Sequence, residues 1–258
     1  MAGIKVTKLD GVGTITLARP DVFNSFNRAM AIAMQDALDE CSADAQIRCI
    51  VITGEGRAFS AGQDLNEVTD PNGPEIQNIV KDHYNPIVSR IRTIEKPIVA
   101  AVNGVAAGAG ANIALSCDVV VARISASFIQ AFSKIGLIPD SGGTFTLPRL
   151  IGWQRASALA IMGDKVSAEE AEKMGMIYRA IPDEEFEQVV QKLSTKIASM
   201  PTKGIGLTKR AFNSSLNNSL EEQLDLEEKL QFEASRTDDY KEGVTAFLEK
   251  RKPHFTGK

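Results

Sequence analysis

No stretch of the chain comes near the roughly 18 consecutive apolar residues that a membrane-spanning helix needs, so no bilayer span is expected. The N-terminal segment has no signal-peptide apolar core and reads as strands. Histidine is scarce, at two residues, and the three cysteines (Cys41, Cys49 and Cys117) stand far apart in largely apolar surroundings. No Cys/His cluster exists, so no metal site is expected. The odd, scattered thiols predict buried free cysteines of a cytoplasmic protein rather than a disulfide framework. Also missing is any long basic run, and the net charge is −4; nucleic acid is not an expected partner. A ligand bearing phosphates would have to be met by a few local lysines or arginines. No exact repeat or low-complexity tract is found.

What is present is an ordinary globular composition, 43% apolar and 24% charged over 258 residues. That is the size of one large α/β domain. Ile4 to Leu9 and Val12 to Leu17 flank Asp10-Gly11, which predicts a hairpin. Phe26 to Ala43 carries an amphipathic helical stripe, and Cys49 to Thr53 reads as a buried strand. Leu65 to Pro74 is polar, is broken by Asp70-Pro-Asn-Gly73, and predicts a loop over a pocket. Glu75 to Thr93 reads as a helix that Pro86 should kink. Ser167-Ala-Glu-Glu170 is a capping box, and Glu184 to Lys250 is nearly all helical, with breaks near Pro201 and Asn213 to Ser219. Strands alternate with helices early and helices dominate late, so a parallel sheet with a C-terminal helical region is expected.

The stretch from Ala101 to Thr144 organises the rest. The β-branched run Pro97 to Val102 predicts a buried strand, and Gly104, Gly108 and Gly110 among alanines lead into a helix at Ile113. Such a turn can offer unpartnered backbone N–H groups to an anion or a polarised carbonyl. It can equally serve close helix–strand packing, and the turn alone leaves both readings open. Farther along, Gly136 to Thr144 sets a lone acid, Asp140, in a second Gly/Pro-rich turn. Taken alone, Asp140 is more readily read as a turn or helix-cap residue.

The motifs GVAAGAGANIALSCDVVVA and IGLIPDSGGT resemble the crotonase (enoyl-CoA hydratase/isomerase) superfamily. So do Arg19 to Ser25, Arg57 to Leu65 and Gly243 to Lys252, which arrive in the family's order. Within the superfamily, FIQAFSKIGLIPDSGGTFTLPRLIG is most similar to the ring-1,2-epoxyphenylacetyl-CoA isomerases. The resemblance implies a ββα spiral over residues 1–195 holding an acyl-CoA site. It further implies a C-terminal helical region, 196–258, packing on the core and on neighbouring subunits of a homotrimer or a dimer of trimers. Coenzyme A enters as part of the substrate, with no separate cofactor.

Carried over residue by residue, the backbone amides of Gln63 and Ala109 would grip the thioester oxygen. Asp140 would be the acid–base group. Adenine contacts would fall to Ser25 and Ala61, and a phosphate contact to Lys250 of a neighbouring subunit. Asp21 stands where a phosphate-facing lysine is often found. Hydratases of this superfamily carry two glutamates, and here those positions hold Asn112 and Phe132. Paired carboxylates suit addition of water, whereas a single carboxylate suits moving a proton from one carbon to another. The departure favours isomerisation, with Asn112, Phe132 and Leu65 expected in the substrate pocket. Three alternatives stay open: an enoyl-CoA hydratase, a 4-chlorobenzoyl-CoA dehalogenase-like hydrolase with Asp140 as nucleophile, and a non-catalytic relative binding acyl-CoA or RNA. The dehalogenase reading needs a histidine and a tryptophan partner, and only His83 lies near the first of those places. The required spacing is absent for a dinucleotide-binding turn, and no Gly-x-Ser-x-Gly nucleophile elbow exists.

Overall fold

The computed structural model describes residues 2–258. Strands β1 (Ile4–Leu9) and β2 (Val12–Leu17) form the expected hairpin about Asp10-Gly11, with Leu9 facing Val12 across the turn. Helix α1 (Arg28–Ala43) starts at Asn27, whose side chain accepts from the Met30 N–H. Then come β3 (Cys49–Gly54) and β4 (Ala58–Ser60), α2 (Leu65–Thr69), α3 (Ile76–Asn78), a π-helical turn (Ile79–Tyr84) and α4 (Asn85–Thr93). The middle of the chain holds β5 (Ile98–Val102), β6 (Val105–Ala107), α5 (Ala109–Leu115), β7 (Val119–Arg123) and β8 (Ser127–Ile129). After it follow α6 (Gly143–Ile151), α7 (Trp153–Met162), β9 (Lys165–Ser167), α8 (Ala168–Lys173) and β10 (Arg179–Ile181). Four helices end the chain: α9 (Phe186–Ala198), α10 (Thr202–Ser215), α11 (Leu220–Ala234) and α12 (Asp238–Leu248).

The strands sort into two sheets. One runs β1-β2-β3-β5-β7-β10, the other β4-β6-β8-β9. Each of the pairs β3/β4, β5/β6 and β7/β8 gives its first strand to the large sheet and its second to the small one. Each sheet therefore grows by one parallel neighbour per turn of the chain, which is a ββα spiral. β5, Ile-Val-Ala-Ala-Val, is buried along its whole length, as a parallel strand covered on both faces must be. One face of the large sheet packs on α1, α4 and α5, and the other presents Val51, Val99 and Val121 to Phe186 and Ala198 of α9. Cys41, Cys49 and Cys117 are free and buried, and burial pushes the Cys41 thiol up to about 11.

Two local readings are corrected. Leu65 to Pro74 is not wholly a loop: its first half is α2, because the Asp64 carboxylate accepts from the Asn66 N–H and caps it. Helix 76–93 meets Pro86 with a wider turn rather than a simple bend. It runs in π form over Ile79–Tyr84, and the Gln35 side-chain amide donates to the Asp82 and His83 carbonyls. Proline has no N–H to return to the preceding turn, so a side chain from α1 supplies one. The strands of the small sheet had no counterpart in the sequence reading, since three residues are too few to display a period of two. Among the described residues, no helix is long and apolar enough to cross a membrane.

Lys209, on α10, is buried and donates to the Asp118 carboxylate at 2.7 Å, while the same carboxylate accepts from the Ile98 N–H. This link fastens the C-terminal helices to the turn that precedes β7. Gly110 fixes a different junction, because a Cβ there would lie 2.5 Å from the Ser60 carbonyl oxygen and 2.6 Å from its Cβ. Gly110→Ala is expected to destabilise the fold by about 1–3 kcal/mol through overpacking against backbone. Thermal unfolding should show it, at roughly 2–4 °C per kcal/mol for a chain this long; an unchanged midpoint would mean that α5 is free to shift.

Candidate active site

Two turns meet at the end of the small sheet. The first leaves β4 through Ala61, Gly62 and Gln63. Gly62 has φ +91°, and a Cβ there would sit 2.9 Å from the Ala107 oxygen and 3.3 Å from the Ala109 nitrogen. Only glycine permits so close an approach at that backbone angle. The Phe26 N–H donates to the Gly62 carbonyl at 2.7 Å. Because C=O and N–H of a trans peptide point in opposite directions, the Gln63 N–H faces away from Phe26. The second turn leaves β6 through Gly108, at φ 53° and ψ −128°, and opens α5 at Ala109. A first helical residue has no acceptor within its own helix. Among the described residues, neither the Gln63 nor the Ala109 amide donates to a protein group.

Both residues line one cavity of about 250 Å³. Ala61, Leu65 and Phe132 line it too, with an apolar wall from Val68, Ile76, Ile79, Val80 and Leu137. Asp140 is the one carboxylate on that lining. Its loop is held by unusual backbone, with Ser141 at φ 51° and Gly142 at φ 77°. The Ser141 hydroxyl donates to Asp140 Oδ1 at 2.8 Å. Burial raises the Asp140 pKa above the ordinary carboxylate value, and the Ser141 hydrogen bond only partly opposes that shift.

Not every expected pocket residue is in the pocket. Asn112 was expected on the lining but is 1% exposed and stands behind the wall. Its Nδ2 donates to the Asp140 carbonyl and its Oδ1 accepts from Gln130 Nε2, each at 2.8 Å. The side chain fits there because Gly143 has none, since a Cβ on Gly143 would overlap the Asn112 amide. Ser25 is buried outside the lining, with its carbonyl accepting from Arg19 Nη1 at 2.7 Å. Lys250 is exposed just past the end of α12, away from the cavity of its own chain. His83 is buried and also off the lining, with its pKa lowered by burial. The cavity therefore lacks the histidine beside Asp140 that a dehalogenase-like hydrolysis needs.

Two polar lining residues had no functional reading from sequence. Tyr84 is 1% exposed, and its hydroxyl donates to Gln63 Oε1 at 2.8 Å. Within an apolar helical stripe its ring passes for core. The available signal was its phenol, since a buried hydroxyl needs a partner. Lys134 also lines the cavity, bringing a positive charge to a site otherwise carrying only Asp140.

Known proteins match this chain over nearly its whole length. The family model for enoyl-CoA hydratase/isomerase matches residues 7–258. The chain is 50% identical over 251 residues to a 1,2-epoxyphenylacetyl-CoA isomerase of Escherichia coli, covering 96% of each chain. It is 46% identical over 249 residues to a probable enoyl-CoA hydratase of Rhodobacter capsulatus, again covering 96% of each. The crystal structure of an enoyl-CoA hydratase subunit from Geobacillus kaustophilus superposes with a TM-score of 0.92 at 36% identity, covering 99% of this chain and 98% of that one. Fold, motifs and full-length similarity agree: the chain belongs to the enoyl-CoA hydratase/isomerase family and is one of its enzymes.

Proposed function

We propose that the protein is an acyl-CoA isomerase that moves a proton through an enolate, with Asp140 as the only carboxylate involved. The thioester oxygen lies between the Gln63 and Ala109 amides. The Asp140 carboxylate takes the α-proton and the oxygen gains negative charge, which the two fixed donors stabilise. Donors of this kind in a dry site are worth roughly 3–4 kcal/mol each to the transition state. The neutral Asp140 then returns the proton to a different carbon, so the carboxylate is regenerated and no other co-reactant is needed. The observation that carries the reading is the meeting of two unpartnered amides and one half-buried carboxylate on a single apolar cavity.

The substrate we propose is ring-1,2-epoxyphenylacetyl-CoA, converted to the oxepin thioester. The 50% identical relative bears the name of that activity, and the Phe132 wall suits a cyclic acyl group. The same machinery would shift a C3–C4 double bond to C2–C3 in an aliphatic enoyl-CoA. A hydratase is the second reading, favoured by the 46% identical probable hydratase. We further propose that the chain works as a trimer or a dimer of trimers. Phe212, Leu224, Phe232 and Phe247 stand exposed on α10 to α12, and Lys250 reaches a ligand only if a neighbouring subunit presents it.

Assays with crotonyl-CoA, a 3-enoyl-CoA and the epoxide thioester should give double-bond or ring isomerisation with little hydration. Efficient hydration without migration would reject the isomerase. Asp140→Asn should lower kcat by about 10²–10⁴-fold while leaving thioester binding nearly intact. It should not lower thermal stability at neutral pH. A carboxyl whose folded pKa lies above its unfolded value is most stabilising when protonated, and it loses that contribution as pH rises through the folded value. For the same reason, kcat/KM should rise with pH through a pKa above the ordinary aspartate value, and a profile flat down to pH 4 would exclude Asp140 as the base. Asn112→Ala should slow turnover and cost about 1–3 kcal/mol of stability, because it frees the Asp140 carbonyl and strands the Gln130 amide.

A further inference from the structure

The site reading above leaves Tyr84 without a task, although its phenol enters the cavity next to the Gln63 turn. The direction of its hydrogen bond is fixed by the group beyond it. Glu67 Oε2 lies 2.9 Å from Gln63 Nε2, and an ionised carboxylate can only accept. The Gln63 amide must therefore present its NH2 to Glu67 and its oxygen to Tyr84, so the phenol is the donor. Glu67 is itself anchored, since its Oε1 accepts from the Arg28 N–H at the start of α1. Burial holds the Tyr84 pKa well above its ordinary value, so the proton stays in place across the working pH range.

The ring is held as firmly as the hydroxyl. It meets Phe26 edge-on, with centroids 6.0 Å apart at 70°. Phe26 is the residue whose N–H orients the Gly62–Gln63 peptide. The π-helical turn brings Tyr84 to the cavity together with Ile79 and Val80. Phe26 thus ties the Gln63 residue down through its backbone, while Tyr84 and Glu67 tie it down through its side chain.

We infer that Tyr84 is a positioning residue, whose hydroxyl and ring lock Gln63 so that its backbone N–H stays aimed at the thioester oxygen. This rests on the proposed use of that amide as an oxyanion donor. Loss of the lock weakens an interaction that matters most in the transition state, so kcat falls while KM barely moves.

The test uses the full-length enzyme with Tyr84→Phe, which keeps the ring and removes only the hydroxyl. Its kcat should fall about 3–10-fold, the worth of one neutral hydrogen bond, with KM changed less than about twofold and the pH at half-maximal rate unmoved. A chromophoric cinnamoyl-CoA thioester reports carbonyl polarisation directly. Its red shift on binding should shrink in Tyr84→Phe and in Glu67→Leu, and largely return in Glu67→Gln, which still offers an acceptor. These responses separate positioning from a merely structural contact, which would alter melting without altering the bound chromophore. A red shift and kcat equal to wild type in Tyr84→Phe overturn the inference alone. No red shift in the wild-type enzyme overturns the two-amide reading, and this inference falls with it.

Discussion

Everything at the site depends on the contact between two backbone turns that side chains would have forced apart. Gly62 lies against Ala107 and Ala109 with no room for a Cβ, and Gly110 lies against Ser60 in the same way. These contacts bring β4, β6 and the first residue of α5 within reach of one small group. Ala109 itself lines the cavity, so its small side chain leaves room beside its own amide. The spiral serves this end, because each turn adds one strand to each sheet and so stacks successive strand ends side by side.

The glycines of this turn do different things at different residues. Gly110 is a packing glycine. Gly108 is a conformational one, at φ 53°, with only Phe132 Cζ near a Cβ at 3.8 Å. Packing of the first kind sets the distance between turns, and backbone freedom of the second kind sets the direction of the amide. In the proposed mechanism neither alone suffices, since donors stabilise developing charge only when already in place.

Much of the fold was legible because its signals are local. The hairpin, α1, β3, β5 and the Ser167 capping box follow from turn chemistry, periodicity and caps. The two-sheet arrangement was not legible from pattern, because the strands of the second sheet are three residues long. It came instead from the family resemblance. Of the residues that the resemblance implied for the site, Gln63, Ala109 and Asp140 do share a cavity. What escaped was the direction of side chains. Asn112 and Tyr84 both lie on helices beside the site, and sequence spacing could not say which one faces in. The missing side chain of Gly143 draws Asn112 behind the wall, and the π turn sends Tyr84 through it.

Asn112, standing where the resemblance implies a glutamate in hydratases, then has a physical consequence of its own. A carboxylate there would face the Asp140 carbonyl oxygen, acceptor against acceptor, and would place a second negative charge near a half-buried acid. Asn112 instead donates to that carbonyl and accepts from Gln130, so the loop carrying Asp140 is tied to α5 by a neutral, directional chain. With no like charge beside it, Asp140 owes its raised pKa to burial alone. In the proposed mechanism, a base tuned by desolvation keeps its affinity for the proton it has taken until the enolate reclaims it at another carbon. Two carboxylates sharing the site would divide that task and leave one of them to hold water.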